Sequence, residues 1–212
     1  MNDKRQILIT AKERDIKHCV HFTNVLNLPS ILTYGLLSIA DLEEARVNYY
    51  YNDNLRLDNL EHSISVSISS PNYKMFYQLR NDNPSDNWVV LILDSTKILY
   101  LDCAFCYTNA ANINVSSIPL AERKTYNAFQ TLFAEKQNHA TRQEMALSLD
   151  EPTDPQAEIL VFNPIPVSAI KMAYFNNVQV MEQYSTLLDN ADIPFACDSK
   201  YYYARHDYPF WQ

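Results

Sequence analysis

The chain is 212 residues long, with 47% hydrophobic and 20% charged residues, which predicts one globular domain over residues 1–212 and excludes a disordered chain. Its 17 Lys and Arg and 25 Asp and Glu give a formal net charge of −8, which argues against a protein that coats nucleic acid non-specifically, because such binding needs many cationic side chains. The single glycine, Gly35, excludes a P-loop and a GxGxxG dinucleotide fingerprint.

The first predicted elements are a short strand and a helix that ends at the glycine. Residues 17–22 (KHCVHF) are typical of a strand, and the helix after them has Asn27 as its predicted N-cap and Pro29 in its first turn. Gly35 would close this helix as a left-handed C-cap, because glycine lacks the Cβ that makes positive φ angles costly. We expect strand, helix and stop to form one unit.

A strand with two different faces is predicted next, at residues 63–69 (SISVSIS). Three apolar residues alternate strictly with four serines, so one face is apolar and the other carries only hydroxyl groups. Because the wet face of an edge strand usually carries charges, the serine face indicates the floor of a cleft, with an ordinary edge strand as the alternative. Residues 71–80 (PNYKMFYQLR) predict a helix that Pro71 opens.

The middle of the chain predicts buried strands followed by helices. Residues 88–94 (WVVLILD) form an uninterrupted apolar run, typical of a central strand covered on both faces, and residues 98–101 (ILYL) predict another short strand. Residues 120–136 and 140–149 are expected to form two amphipathic helices.

The last part predicts two more strands and a helix. A polar loop leads into a strand at 158–162 (EILVF), and a second strand at 169–175 and a helix near 178–189 follow it. The chain then ends in an aromatic tail, and no linker, repeat or low-complexity tract divides it.

Targeting signals and disulfide bonds are not expected. The longest apolar run, at 88–93, is well short of the roughly 18 residues that span a bilayer, and the first residues lack the apolar region of a signal peptide. We therefore expect a cytosolic protein without a membrane partner. In that compartment its four cysteines are expected to be reduced thiols.

Two groups of polar residues lie where predicted elements begin or end. Glu158 is the first residue of an apolar strand, a position that suits a fixed catalytic carboxylate and equally suits the wet end of a strand. His21, Thr23 and Asn24 precede a helix N-terminus, where N–H groups and side chains could bind ribose or phosphate oxygens. A purely structural role for this histidine remains the alternative.

Cysteine and tyrosine clusters give weaker signals. Cys103 and Cys106 form a CxxC, but no second pair follows at zinc-ligand spacing, so we interpret them as buried thiols and expect no metal site. The tyrosines at 49–51 and 201–203 could stack on nucleic-acid bases or belong to the core or a dimer surface.

Three ordered blocks of the sequence resemble the DarT family of nucleic-acid ADP-ribosyltransferase toxins. Residues 21–38 (HFTNVLNLPSILTYGLLS) are similar to the family's amino-terminal block, and residues 63–80 (SISVSISSPNYKMFYQLR) to its next strand and helix. The segment DPQAEILVF at 154–162 resembles the block in which a Gln-Ala-Glu triplet supplies the catalytic glutamate. The resemblance implies an α+β fold, with a split, mostly antiparallel sheet whose cleft holds NAD as co-substrate.

The resemblance also implies roles for individual residues. Glu158 would be the catalytic carboxylate, aided by a family arginine that is either Arg46 or Arg56, of which we favour Arg56. The residues expected to contact NAD are His21, Thr23, Asn27 and Tyr77. The residues expected to contact the nucleic acid are Gln156, in a substrate-reading loop within 140–157, and Tyr73.

The function implied by the resemblance is transfer of ADP-ribose from NAD to a base of single-stranded nucleic acid. DNA is favoured over RNA, and the modified base is left open. Protein as the acceptor, and a non-enzymatic nucleotide-sensing domain, are the alternatives. A toxin of this kind needs a neutralising partner, either a macrodomain hydrolase that removes the modification or a protein that occludes the cleft.

Overall fold

The computed structural model describes residues 2–50 and 60–212. In chain order, the strands are β1 (His18–Asn24), β2 (Ile64–Ile68), β3 (Trp88–Asp94), β4 (Cys103–Cys106), β5 (Glu158–Val161), β6 (Ile170–Phe175) and β7 (Phe195–Cys197). The α-helices of these residues are α1 (Asp3–Glu13), α2 (Leu28–Tyr34), α3 (Ile39–Glu44), α4 (Tyr73–Asp82), α5 (Ser95–Tyr100), α6 (Ile113–Ser116), α7 (Leu120–Arg123), α8 (Tyr126–Thr131) and α9 (Val178–Asn190). Short 3-10 turns complete the set, one of them directly before α2.

The seven strands form one sheet in the order β4-β5-β2-β1-β3-β6-β7. Every neighbouring pair is antiparallel except β6 and β7, which run parallel. The α+β class and the mostly antiparallel sheet predicted from the sequence are confirmed. β3 is an interior strand between β1 and β6, and six of its seven residues are buried, because the sheet is covered on both faces there.

The sheet is split between β1 and β2, as predicted. Their backbones pair only at Cys19 with Ile68 and at Val20 with Ser67, whereas β1 pairs with β3 along its whole length. Beyond these pairs, the imidazole of His21 donates to the carbonyl of Ser65 over 2.9 Å and takes the place of a backbone bond. The split opens a cleft into which the serine face of β2 projects.

Gly35 ends α2 in a conformation that only glycine adopts easily. Its φ is +83° and its ψ is −176°, so φ is positive as predicted, but ψ is extended rather than left-handed helical. A Cβ at this position would lie 2.3 Å from the carbonyl oxygen of Ile165. The close approach lets Leu36 and Ile165 form an isolated bridge, which fastens the end of α2 to the chain beyond β5.

Three helix and strand predictions are wrong, and capping explains the first. Residues 98–101 lie in and just after α5, because the Asp94 carboxylate accepts the N–H groups of Thr96 and Lys97 and starts a helix at the end of β3. The strand comes later, at β4. Helix α1, whose Asn2 side chain accepts the N–H of Lys4, was not predicted either.

The second and third errors concern residues 120–149. The long helix predicted at 120–136 is two short helices, α7 and α8, and residues 140–149 form turns. In these turns the Arg142 guanidinium donates to the carbonyl of Ser148, and Ala146 has a positive φ of 53°. A side chain that binds the loop's own carbonyls stabilises a non-helical path that the apolar spacing does not reveal.

Three of the four cysteines lie in the core. Cys19, Cys103 and Cys106 are buried thiols, as the sequence suggested for the CxxC pair, and Cys197 is exposed. None of the helices in the described ranges, 2–50 and 60–212, has the length and apolar character needed to cross a membrane.

Two buried thiols and one buried phenol ionise only at high pH, so we expect the protein to lose stability in alkaline solution. Burial raises the pKa of the Cys103 thiol to about 12 and also raises the pKa values of Cys19 and Tyr202. In the unfolded chain such groups ionise near pH 8.5–10, so the unfolded state loses protons first, and the free energy of unfolding falls as pH rises towards about 12. We expect the Tm followed by circular dichroism to fall steadily above about pH 9.5. A Tm that holds constant to pH 11 would contradict this account.

Candidate active site

The cleft between β1 and β2 is a cavity of about 540 Å³, within the range of small-molecule sites. Its walls come from β1, the serine face of β2, α2, one side of α4 and the start of β5. Three of the predicted serines line it: Ser63, Ser65 and Ser67. The serine strand is therefore the floor of a cleft, as its pattern indicated.

Glu158 is a buried carboxylate in the wall of this cavity. It is the first residue of β5 and 7% exposed. The hydroxyl of Ser65 donates to its Oε2 over 2.5 Å, and the backbone N–H of Ala110 donates to its Oε1 over 3.3 Å. Because each oxygen accepts a bond from a different element, the carboxylate is held in one orientation, as a catalytic group requires.

Ser65 connects His21 with Glu158. Its backbone carbonyl accepts from Nδ1 of His21, and its side chain donates to Glu158. A carbonyl can only accept, so Nδ1 carries the proton, and in the neutral ring Nε2 is an acceptor. The structure thus brings together two residues that are 137 positions apart in the printed sequence.

Asn27 and Thr23 form a second fixed group in the cavity wall. The Asn27 amide donates to the Thr23 hydroxyl and to the carbonyl of Tyr50, both over 2.9 Å, and accepts the N–H of Tyr50 over 2.7 Å. Asn27 therefore holds the Tyr50 backbone against the cavity. It makes no side-chain cap bond to α2, contrary to the prediction; Asn24 instead caps the preceding 3-10 turn by accepting the N–H of Leu26.

Two arginine side chains fasten the loop before Glu158, one from the preceding turns and one from the carboxy-terminal tail. Arg142 donates to the carbonyl of Glu151 and to the hydroxyl of Thr153. On the other side, Arg205 donates to the carbonyls of Pro152 and Thr153. Gln156, the predicted substrate contact at the end of this loop, lines the cavity.

Tyr73 and Tyr77, the two site residues predicted on the helix at 71–80, do not line the cavity. On α4, the residues that face it are Lys74, Met75 and Gln78, which share one side of a helix. Tyr77 lies on the outer side and is 61% exposed, so the structure does not place it at the predicted NAD contact. Tyr73 is half-buried, and its pKa rises to about 12 through burial and the nearby Asp207 charge, since it packs towards the carboxy-terminal tail.

The remaining predicted residues lie elsewhere or outside the described chain. Arg56 falls outside the described residues, and the other candidate, Arg46, is exposed, has a positive φ of 54° and does not line the cavity. Of the tyrosine clusters, Tyr49 and Tyr50 line the cavity, Tyr202 is core, and Tyr203 is 70% exposed.

Several residues of the cavity wall were not predicted from the sequence. Asn72, Lys74 and Gln78 line it although only the helix that they belong to was predicted. The N–H of Ala110 binds Glu158 from the loop after β4, and a backbone donor has no side-chain signature. An asparagine at the start of a predicted helix is a recognisable N-cap candidate, and this is the one signal that could have drawn attention to Asn72.

A family model described as "ssDNA thymidine ADP-ribosyltransferase, DarT" matches residues 20–203. The chain belongs to the DarT family. The three blocks that suggested this family from the sequence, and the residues His21, Gln156 and Glu158, lie inside the matched range. A comparison with curated proteins finds no match.

Solved DarT structures have the same fold. Thermosipho africanus DarTG in complex with ADP-ribose is similar with a TM-score of 0.62 and 18% identity, over 90% of this chain and 52% of that one. Two structures of Thermus sp. 2.9 DarT are also similar, each with 16% identity over 89% of this chain. The complex with NAD+ has a TM-score of 0.57 and is covered over 98% of its own chain. The complex with ADP-ribosylated ssDNA has a TM-score of 0.53 and is covered over 97% of its own chain. This DarT chain therefore spans about half the length of the DarTG chain and nearly all of the Thermus one.

Proposed function

We propose that the chain transfers ADP-ribose from NAD to a base of single-stranded DNA, with Glu158 as the catalytic carboxylate. Family membership supports the reaction class. The single structural observation that carries the assignment is that Glu158, buried in the wall of the cleft, has both carboxylate oxygens fixed by hydrogen bonds. A carboxylate at the wet end of a strand, the alternative that the sequence left open, would be exposed to water.

NAD is assigned to the half of the cavity near His21 and Thr23. The Thermus relative is described in complex with NAD+, and hydroxyl and imidazole groups suit ribose and phosphate oxygens. Asn27 supports this half indirectly, because its amide is engaged with Thr23 and the Tyr50 backbone. No glycine-rich phosphate loop is needed in such a split-sheet cleft, which agrees with the single glycine.

The mechanism follows from the charge that develops in the reaction. Breaking the bond between nicotinamide and C1′ sends the bonding electron pair to the nicotinamide nitrogen and leaves positive charge on the ribose, as in other glycosyl transfers. The Glu158 carboxylate stabilises that charge, because its orientation is set before the reaction begins. A base nitrogen then attacks C1′, and Glu158 accepts the proton that this nitrogen loses.

DNA is favoured as the acceptor over RNA. The family description names ssDNA thymidine, and a Thermus relative is described with ADP-ribosylated ssDNA. A net charge of −8 suits an enzyme that binds a strand within a confined groove rather than along a broad basic surface. RNA is the second candidate, because unstacked bases are presented in the same way in both polymers and only contacts to the 2′-OH separate them.

A neutralising partner is part of the proposal. A chain that modifies bases would damage the DNA of its own cell, and one of the similar structures is described as DarTG. The partner is expected to be either a macrodomain hydrolase that removes the modification or a protein that occludes the cleft. Co-expression of the wild-type chain with a candidate partner should restore growth that the chain alone inhibits.

The acceptor is tested by incubating the protein with labelled NAD and single-stranded DNA, single-stranded RNA or protein in separate reactions. We expect label on DNA. Label on RNA alone would move the assignment to the second candidate, and label on protein would contradict the proposal. NAD that remains unconsumed with every acceptor would favour a nucleotide-sensing domain.

Removing the hydroxyl that binds Glu158 should slow the transfer. A hydrogen bond to a charged group is worth about 1.5–3 kcal/mol, so we expect Ser65→Ala to lower kcat/KM roughly 10- to 150-fold. The measurement is the initial rate of ADP-ribose transfer to a DNA oligonucleotide. Ser117→Ala, at an exposed serine beyond α6, is the control and should match the wild type. An unchanged rate in Ser65→Ala would show that this bond does not orient Glu158.

A further inference from the structure

Asn72 carries a buried hydrogen-bond donor in the cavity wall that nothing in the described chain satisfies. Its residue is 3% exposed, and its Nδ2 has no hydrogen-bond partner among residues 2–50 and 60–212. Trp88 Nε1 and Arg123 Nε share this property, but neither of those residues lines the cavity. A buried donor left unpaired costs about 1–3 kcal/mol, so a ligand that pairs with it gains correspondingly.

The helix cap fixes which end of the Asn72 amide is unpaired. Its Oδ1 accepts the N–H of Met75 over 3.2 Å, as the N-cap of α4. Since a backbone N–H can only donate, the oxygen is on the α4 side, and the remaining group is the NH₂. An amide NH₂ in this place pairs with an acceptor atom, such as a carbonyl oxygen.

Strand register places Asn72 at the Glu158 end of the cavity. Val66 pairs with Ile159, so the next step of the ladder sets Ser67 beside Glu158, and Asn72 follows Ser67 by five residues. Thr23 lies farther from Ser67, because Ser67 pairs with Val20, which precedes Thr23 by three residues on β1. Asn72 therefore lies nearer to Glu158 than to Thr23, and in the proposed mechanism the acceptor base also approaches this carboxylate.

We propose that Asn72 is a specificity-determining residue whose Nδ2 donates to a carbonyl oxygen of the acceptor base. The proposal rests on the proposed function and adds how the base is chosen. Thymine and guanine present carbonyl oxygens, whereas adenine presents an amino group that would leave Nδ2 facing another donor. A site built to pair with a substrate group discriminates strongly against a base that lacks it, because the buried group is then left unpaired.

The test uses a substitution that keeps the helix cap but removes the donor. Serine is as good an N-cap as asparagine, so Asn72→Ser should preserve α4 while its shorter side chain no longer carries the NH₂. Asn177→Ser is the matched control, because Asn177 caps α9 by accepting the N–H of Val180 and does not line the cavity. Both variants are compared with the wild type on DNA oligonucleotides that contain one thymine or one adenine target.

We expect Asn72→Ser to lower kcat/KM for the thymine oligonucleotide about tenfold or more, and to reduce the preference for thymine over adenine. The dissociation constant of NAD, measured by calorimetry, and the Tm should stay close to those of Asn177→Ser. A purely structural cap would leave base preference unchanged.

Three results would overturn the proposal. The first is an Asn72→Ser enzyme with wild-type rate and base preference. The second is a loss confined to NAD affinity, which would assign the donor to NAD, and the third is a wild-type enzyme that prefers adenine. A wild-type protein that modifies no DNA base would overturn the proposed function itself, and the role of Asn72 with it.

Discussion

Replacing Glu158 with glutamine is expected to lower the rate of ADP-ribose transfer by about 10³-fold or more, because it removes both the negative charge and the proton acceptor. Gln keeps the size of the side chain, so its carbonyl oxygen can still accept from Ser65. The affinity for NAD should change little, since the carboxylate acts mainly on charge that appears in the transition state. The measurements are single-turnover transfer to a DNA oligonucleotide and calorimetric titration with NAD.

Glu122→Gln is the control for this substitution. Glu122 is an exposed residue of α7 and does not line the cavity. It loses the same charge, so any general effect of net charge on DNA binding appears in both variants. A Glu158→Gln enzyme that retains more than about a tenth of the wild-type rate would contradict a catalytic role for this carboxylate.

The largest effect on stability is expected from the ion pair in the carboxy-terminal tail. Arg205 and Asp207 have side chains that are 4% and 0% exposed, and the guanidinium donates two bonds of 2.6 Å to the two carboxylate oxygens. Burial alone would raise the pKa of Asp207, but the hydrogen bond and charge of Arg205 lower it on balance. Asp207 also accepts from the indole N–H of Trp211.

We expect Asp207→Ala to lower the free energy of unfolding by about 3–5 kcal/mol, because it leaves the Arg205 charge buried without its partner. For a chain of this size that corresponds to a Tm lower by roughly 6–20 °C in differential scanning calorimetry. The double variant Arg205→Met/Asp207→Leu should recover part of the loss, since no charge then stays buried.

An exposed ion pair supplies the control. Lys17 and Asp15 are 74% and 71% exposed, so Lys17→Ala should leave the Tm unchanged. If Asp207→Ala melts with the wild type, the tail does not hold the fold in the way that its hydrogen bonds indicate. The same pair acts near the site, because Arg205 fastens Pro152 and Thr153 in the loop that leads to Glu158.

Local patterns predicted the parts of this protein whose causes are local. Strict alternation in residues 63–69 predicted a strand with a serine face, because side chains of a strand point alternately to opposite sides. The apolar run at 88–94 predicted β3, since a strand covered on both faces has no polar side. Glu158 was found as a catalytic candidate through the resemblance of DPQAEILVF to a family block, and its place at the start of β5 agreed.

The features that could not be predicted depend on contacts between distant segments. The buried pair in the tail fastens a loop about fifty residues earlier in the chain, and no spacing rule connects the two. Tyr77 was expected in the cavity although the helical period turns it outward, because the block match gave a segment and not its facing side. The helix at 95–100 replaced a predicted strand, since a capping carboxylate outweighed a short apolar run.

The most direct test of the central claim is mass spectrometry of the nucleosides released from a single-stranded DNA oligonucleotide after incubation with NAD and the wild-type protein. We expect one nucleoside that carries an added ADP-ribose group, with thymidine tested first, and we expect it to be absent when Glu158→Gln replaces the wild type. Unmodified DNA nucleosides from the wild-type reaction, or equal modification by both proteins, would contradict the central claim.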